Sequence, residues 1–307
     1  MRCQAAAPEK PKLLVVGPGV LGSRLGVLWL EKNGGGSVLG VTQTTNHHES
    51  VRLTHSFHSL RALGITPHTL ESFDASQRSS ERKTFPNVVF SAPPSTSDDY
   101  PGEVRRALGL WDGSGAFVFT SSAALYDVHD GEGATEVSPI VARGASPRTD
   151  RLLDAERVVL DAGGSAVRLV GLYHSGRGAH TFYQRKAGQA VDRWGGAVIN
   201  LIHYEDAAAL TLRLLRMHHP GHVFVGVDDE PITLQELMDL THRCPAYALP
   251  EGAPPAQFKG TAGKDAGKRM ANPITRAILG WEPAYPSFRQ FLAEGAHDWY
   301  ATLPKDA

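Results

Sequence analysis

Gly17, Gly19 and Gly22 have G-x-G-x-x-G spacing and follow the apolar run Leu13-Leu14-Val15-Val16. Each glycine in such a loop has its own task. The first permits a tight turn, the second lets backbone approach a pyrophosphate, and the third lets a helix pack closely on a strand. The helix that follows offers free amides and a positive dipole end to phosphate. The spacing predicts dinucleotide binding at Gly17, Gly19, Val20, Leu21 and Gly22; the competing explanation is a structural turn with no ligand. At the end of the second strand an NAD site carries Asp or Glu for the ribose 2′-hydroxyl. Here that stretch reads Val38-Leu39-Gly40-Val41-Thr42-Gln43-Thr44-Thr45, and from Val38 onward no acid precedes Glu49. Without a carboxylate, a 2′-phosphate meets no repulsion. Thr42, Thr44 and Thr45 offer hydrogen bonds, and His47, His48 or Arg52 offers positive charge. NADP(H) is favoured over NAD(H), with Thr42 and Gln43 at the contact, against the alternative of a solvated loop.

The elements that would position these residues alternate. Leu13–Val16 reads as a buried parallel strand, and Leu21 to Leu30 as a helix stopped by Gly34-Gly35-Gly36. Further strands are expected at Val38–Thr42, Asn87–Ser91, Ala116–Thr120 and Ala166–Val170, with a helix over Thr149–Leu160. This rhythm predicts βαβ units and a parallel sheet wrapped by helices. The last third breaks the rhythm with Gly-, Arg- and Lys-rich residues 176–196 and Ala-, Pro- and Gly-rich residues 245–267. Between them, Thr233 and Glu236 have capping-box spacing ahead of a helix to His242. The expected fold class is α/β: a Rossmann-type doubly wound sheet over residues 12–175. Residues 176–307 form a smaller C-terminal substrate lobe and return elements to the sheet.

The chain has 307 residues, 41% hydrophobic and 21% charged, enough apolar material for a sizeable core. Its 31 basic and 32 acidic residues leave a net charge of −1. Nothing electrostatic therefore points to nucleic acid or an anionic membrane surface as partner. The apolar runs fall far short of the ~20 residues that span a bilayer. Cys3 and Cys244 make no disulfide framework, and no Cys/His cluster argues for a metal. Residues 1–11 read either as a disordered tail or as a transit-peptide remnant. Arg2-Cys3-Gln4-Ala5-Ala6-Ala7 resembles the cleavage zone of plastid precursors, which would place the protein in the chloroplast, the cytoplasm being the other reading. Oligomeric state is left open by the sequence.

Five segments in order resemble the extended short-chain dehydrogenase/reductases, the NAD-dependent epimerase/dehydratase group, over about residues 12–300. They are the glycine loop; Ser121-Ser122-Ala123-Ala124-Leu125-Tyr126; Arg168-Leu169-Val170-Gly171-Leu172-Tyr173-His174-Ser175-Gly176-Arg177; Ile202-His203-Tyr204-Glu205-Asp206; and Leu279-Gly280-Trp281 with Tyr285-Pro286-Ser287. Asp127, His174 and Ser175 depart from the pattern. The resemblance implies a Rossmann fold and cofactor contacts at Ala92, Pro93, Ser121 and Gly171. It also makes Ser122 the hydroxyl that holds a substrate oxygen.

The family's chemistry needs Tyr-x-x-x-Lys on a helix, where the lysine lowers the tyrosine pKa for proton exchange. Aligned on Ala155-Glu156, the tyrosine position holds Arg148 and the lysine position Leu152. No tyrosine in the chain has lysine four residues on. Three readings follow. The first is an NADP(H)-dependent oxidoreductase with a replaced acid, Tyr126, Tyr173 or His203, or solvent alone, acting on a small molecule. In it Arg148 is an anion clamp for a carboxylate or phosphate substrate; the alternative is a solvated helix-start residue. The second is a dinucleotide-binding scaffold or plastid assembly factor without redox chemistry. The third is a sugar-nucleotide epimerase or dehydratase, the reading that suffers most from the missing tyrosine. Candidate catalytic residues are Ser122, Tyr126 and Tyr173, each set against a capping or packing role. His203 is expected to brace the two lobes, Asp206 to cap the helix Ala207–Met217, and Trp281 to lie in the core.

Overall fold

In a computed structural model of the chain, described for residues 12–33, 35–48, 51–52, 57–79, 83–263 and 266–298, seven parallel strands form one sheet. They are β1 (Lys12–Val16), β2 (Ser37–Thr42), β3 (Ile65–Thr69), β4 (Asn87–Phe90), β5 (Phe117–Ser122), β6 (Ser165–Leu169) and β7 (Val223–Gly226). Their order across the sheet is β3-β2-β1-β4-β5-β6-β7. The reversal beside β1 opens a crevice at the carboxyl ends of the strands, where such sheets bind ligands. The N-terminal stretch read as a transit-peptide remnant lies outside the described residues, as do Gly34, Glu49 and Lys264.

Alternation along the strands separates two helical layers. Leu13 and Val15 pack with helices α1 (Val20–Lys32) and α6 (Tyr204–Met217). Leu14, Val88 and Phe90 face the other way, onto α2 (Leu70–Ser79), α3 (Tyr100–Leu108) and α4 (Pro147–Asp161). Helix α1 is buried from Leu21 to Trp29, including Arg24. That guanidinium forms a two-pronged ion pair with Glu205, Nη2 donating to Oε1 at 2.6 Å. A buried cation needs such a partner, and this one joins the start of α6 to α1.

Past β6 come α5 (Ala179–Gln184), α7 (Leu234–Arg243), α8 (Pro273–Leu279) and α9 (Phe288–Ala293). A small sheet runs in the order Ile232–Thr233, Val198–Ile199, Gly267–Met270, Asp130–Ala134. Helix α7 begins with the capping box that the sequence predicts, the Thr233 and Glu236 side chains each accepting the other's backbone N–H. Its apolar face joins Tyr173, Leu201, Phe288 and Phe291 in a separate cluster.

One cap differs from expectation. Helix α6 starts at Tyr204, and the ring of His203 caps it, Nδ1 accepting from the Glu205 amide at 3.1 Å. Asp206 is the third residue of the helix, inside its first turn, and its buried carboxylate serves another segment. It accepts from the amides of Ala284 and Tyr285 at 2.7 and 3.0 Å and holds the C-terminal segment. His203 does brace distant parts of the chain: its Nε2 meets Asp298 at 3.0 Å and its ring stacks on Tyr285 at 3.9 Å. Trp281 is buried.

Candidate functional site

The glycine loop has the geometry that its spacing calls for. Gly17 has φ +86°, and a Cβ there would stand 2.5 Å from the Ala92 nitrogen. Only glycine fits both the turn and that approach. A Cβ on Gly22 would come within 2.7 Å of the Gly17 oxygen and 2.8 Å of Val15, so the third glycine lets α1 sit against β1. Gly19 differs. Nothing lies within 4 Å of its Cβ position, which faces open space. No side chain caps α1 at Gly19 and no acid occupies its first turn. The helix start is thus left bare for an anion.

This loop forms one end of a cleft of about 800 Å³ that also takes in Thr42, Gln43, Thr44, Ala92 and Pro93. Its far side is made by Ser121 and Ser122 at the end of β5, Arg148 and Leu152 on α4, and Val170, Leu172, Arg177 and Tyr204. Of the cofactor residues read from sequence, Gly17, Gly19, Val20, Leu21, Gly22, Thr42, Gln43, Ala92, Pro93 and Ser121 line this cleft. Gly171 does not; it sits between the lining residues Val170 and Leu172, donating its amide to Asn200. A smaller apolar cavity of about 70 Å³ adjoins the Thr42 end, walled by Phe73, Phe90 and Leu110, with Gln43 and Glu103 also lining it.

Ser122 lines the cleft and also caps the short helix Ala123–Leu125, its Oγ accepting from the Ala124 amide at 3.2 Å. The hydroxyl proton is left for another acceptor. Ser121 faces downward: its Oγ bonds Glu156 at 2.5 Å. Glu156 in turn receives Nε and Nη2 of Arg168 at 2.9 and 2.7 Å, and all three residues are buried. This network lies directly beneath the cleft floor.

Tyr126 and Tyr173, candidate proton donors in the sequence, are withdrawn from the cleft. Tyr126 is fully buried, with its hydroxyl donating to the Glu136 carbonyl at 3.2 Å and the Arg168 guanidinium over its ring. Burial raises its pKa, partly offset by Arg168. Tyr173 is wedged among His180, His203, Phe288 and Phe291. Its hydroxyl is buried with no hydrogen-bond partner among the described residues. Burial pushes its pKa well above 10, with Asp228 adding to the rise. Both rings are turned into packed clusters, and neither lines the cleft. His203, buried against Asp298, is likewise enclosed.

The tyrosine that does line the cleft is Tyr204, missed in the sequence because it stands inside a bracing segment. Burial raises its pKa, and a hydrogen bond from Arg177 works against that rise. Arg177 lines the cleft beside it. Lys268 Nζ donates to the carbonyls of Ala123 and Tyr126.

At the β2 end, Thr42 Oγ1 donates to the Thr44 carbonyl at 2.7 Å and meets His48 Nε2 at 2.7 Å. Its proton is therefore taken up within the loop. Gln43 Nε2 points to Glu103 of α3 at 3.4 Å.

No family model and no curated protein matches the chain. Solved structures do. A functionally unknown conserved protein from Silicibacter pomeroyi shares 21% identity over 92% of this chain and 97% of its own, with a TM-score of 0.69. A dTDP-glucose 4,6-dehydratase from Bacillus anthracis, solved in complex with NAD, shares 15% over 95% and 96%, with a TM-score of 0.70. The UDP-Glc/GlcNAc 4-epimerase of Campylobacter jejuni shares 15% over 95% and 99%, with a TM-score of 0.71. The fold is Rossmann-type. At these identities the likeness speaks for the fold, and the activities belong to those proteins.

Proposed function

We propose that the chain binds a nicotinamide dinucleotide, NADP(H) in preference to NAD(H), and uses it in oxidoreduction of a small molecule without a tyrosine–lysine pair. One observation carries the binding step: the bare start of α1 and the open Cβ position of Gly19 face one cleft. Gly17 and Gly22 hold that cradle, and β2 itself ends without the Asp or Glu of an NAD site, the acid at this end, Glu103, coming from α3. A bound nicotinamide would supply or accept a hydride. The chain's own groups would do the rest. Ser122 is free to donate to a substrate oxygen, and Tyr204, beside Arg177, is the tyrosine placed to hand over a proton. Leu152 leaves an apolar floor where the related enzymes' lysine is expected.

Titration calorimetry with NADPH, NADP⁺, NADH and NAD⁺ tests this directly. Tight binding of the phosphorylated pair supports the reading, and no binding to any of the four removes it. Glu103 sharpens the test, since its carboxylate reaches Gln43 and lines the small cavity at this end. Glu103→Gln should raise NADPH affinity about fivefold and leave NADH unchanged, as expected for one like charge removed across partly solvated space. An unchanged NADPH to NADH ratio would count against a 2′-phosphate at this end.

The withdrawal of Tyr126 and Tyr173 favours a second reading, a dinucleotide-binding scaffold that does no redox chemistry. Tight NADPH binding, with no oxidation of NADPH by any of a panel of carbonyl and activated-alkene compounds, would select it. The fold neighbours keep a sugar-nucleotide substrate in view as the third, tested by titrating UDP-glucose and dTDP-glucose into the NAD(P)-loaded protein.

A further inference from the structure

We propose that the substrate carries a carboxylate or phosphate, recognised by Arg148 on the α4 side of the cleft with Arg177 as the second cation. This rests on the reading of the cleft as a dinucleotide-dependent oxidoreductase site and adds the class of molecule that it accepts.

The charge of the walls comes first. The chain as a whole is balanced, yet among the described residues no acid lines the cleft, while two arginines do. A concave surface with cations only attracts anions and discriminates against cations. A pyrophosphate at the start of α1 does not account for both guanidinia. In the sheet β5 lies two strands from β1, so the Ser122–Arg148 side is roughly 10 Å from the glycine loop at the ordinary strand spacing.

Arg148 is then distinguished from its neighbours. Arg143 forms a two-pronged pair with Asp154, and Arg151 donates to the Pro94 carbonyl at 3.2 Å. Arg148 is exposed and makes no hydrogen bond or ion pair among the described residues. A planar fork of donors in a cleft, with no internal partner, suits two oxygens of one anion. Ser122, on the same side, has a hydroxyl proton to add.

Arg177 is held firmly from below. His174 and Arg177 close a turn through two backbone bonds of 2.9 and 3.1 Å. Inside that turn the Ser175 amide is gripped by both carboxylate oxygens of Asp298, at 3.0 and 2.9 Å, and the Ser175 carbonyl accepts from Tyr247 at 2.7 Å. Asp298 is itself buried and bonded to His203. The turn that carries the cation is therefore fixed before any ligand arrives, which lowers the cost of binding.

The test titrates malonate and, separately, inorganic phosphate into the NADPH-saturated protein at constant ionic strength, read by the fluorescence of the bound cofactor and by calorimetry. Neutral malonamide is the control, and the same titrations are run without cofactor. Saturable binding of malonate or phosphate but not malonamide is expected, and which anion binds tells carboxylate from phosphate. Arg148→Gln should weaken that anion about tenfold or more, the worth of a charged hydrogen-bonded pair, while NADPH affinity stays within about twofold. Arg148→Lys should recover part of the loss. Equal binding of malonamide, no anion binding, or an unchanged Arg148→Gln variant would overturn the proposal. A loss of NADPH affinity matching the loss of anion affinity would overturn it too, assigning the guanidinium to the dinucleotide. Failure of the wild type to bind any dinucleotide is a separate result: it removes the oxidoreductase reading and leaves the cofactor-free anion titration to report on Arg148 alone.

Discussion

The two sides of the cleft are built in different ways. The glycine-loop side is made of backbone: its turn, its bare amides and its close approaches depend on the absence of side chains at Gly17, Gly19 and Gly22. The opposite side is made of charged side chains standing on buried polar foundations. Arg148 and Ser122 rise above the Ser121–Glu156–Arg168 network, and Arg177 rises above Asp298, His203 and Tyr247. A backbone cradle recognises a feature common to all dinucleotides. A side-chain wall can be refitted one residue at a time. That difference explains how a chain can keep the first while carrying Arg148 and Leu152 where its resemblance expects tyrosine and lysine.

The largest expected effect comes from breaking a foundation. Glu156→Ala removes two hydrogen bonds from a buried guanidinium and one from Ser121. Leaving Arg168 charged and unpaired should cost about 3–5 kcal/mol of folding stability, read from the shift of a urea unfolding midpoint. The turn of the cradle itself, from Gly17 to Gly22, holds no such pair; the ion pair on that side, Arg24 with Glu205, lies further along α1. A loss under about 1 kcal/mol would mean that the side-chain wall does not depend on its foundation, and the contrast would fail.

Acid should act on the same side. Burial lowers the pKa of His180 to about 4, against a hydrogen bond from its ring to the Ser175 carbonyl and the pull of Asp298, with Arg185 and His203 lowering it further. His174 is lowered as well, chiefly by burial. Between about pH 6.5 and pH 4 the unfolded chain binds protons on these rings that the native state refuses, so stability falls as pH falls through that window. Urea midpoints at pH 7 and pH 5 should show the drop, and His180→Leu should remove roughly one proton's share of the slope. Amide exchange at pH 5 should open residues 174–180 before residues 17–23. Uniform opening would show that the two sides are not independently held.

The same division governs what could be read from the sequence. The cradle was legible because its cause is local: an apolar strand, three glycines at fixed spacing and a helix follow one another directly. Strands β1, β2, β4, β5 and β6 were legible for the same reason. The strands not foreseen, β3 and β7, are the two edges of the sheet. Ile65-Thr66-Pro67-His68-Thr69 hides its strand behind a proline that an edge can tolerate. The side-chain wall was much less legible, since its parts meet only in three dimensions. Tyr204 and Arg177 belong to different motifs, and Asp298 is 95 residues from the His203 it bonds. Motif resemblance named Tyr126 and Tyr173 as candidates, yet nothing local reveals that both rings face inward. Burial of a side chain is decided by what packs over it, and the strand pattern alone does not state which neighbour that is.

The smallest expected effect on folding is also the sharpest probe of the cradle. Gly19 has φ −74°, which any residue adopts, and nothing lies within 4 Å of its Cβ position. Gly19→Ala should therefore cost about 1 kcal/mol or less, the difference between glycine and alanine at a helix start. Its methyl group, however, would project toward the space where a pyrophosphate must approach the backbone. Dinucleotide affinity should fall at least about tenfold, the equivalent of 1.4 kcal/mol, while the unfolding midpoint hardly moves. Glu156→Ala has the opposite signature, a large loss of stability for a residue that touches no ligand. If Gly19→Ala left both quantities unchanged, the open space at Gly19 would not be where the phosphates sit. The cradle would then be a turn kept for packing alone, with Gly17 and Gly22 sufficient to explain it.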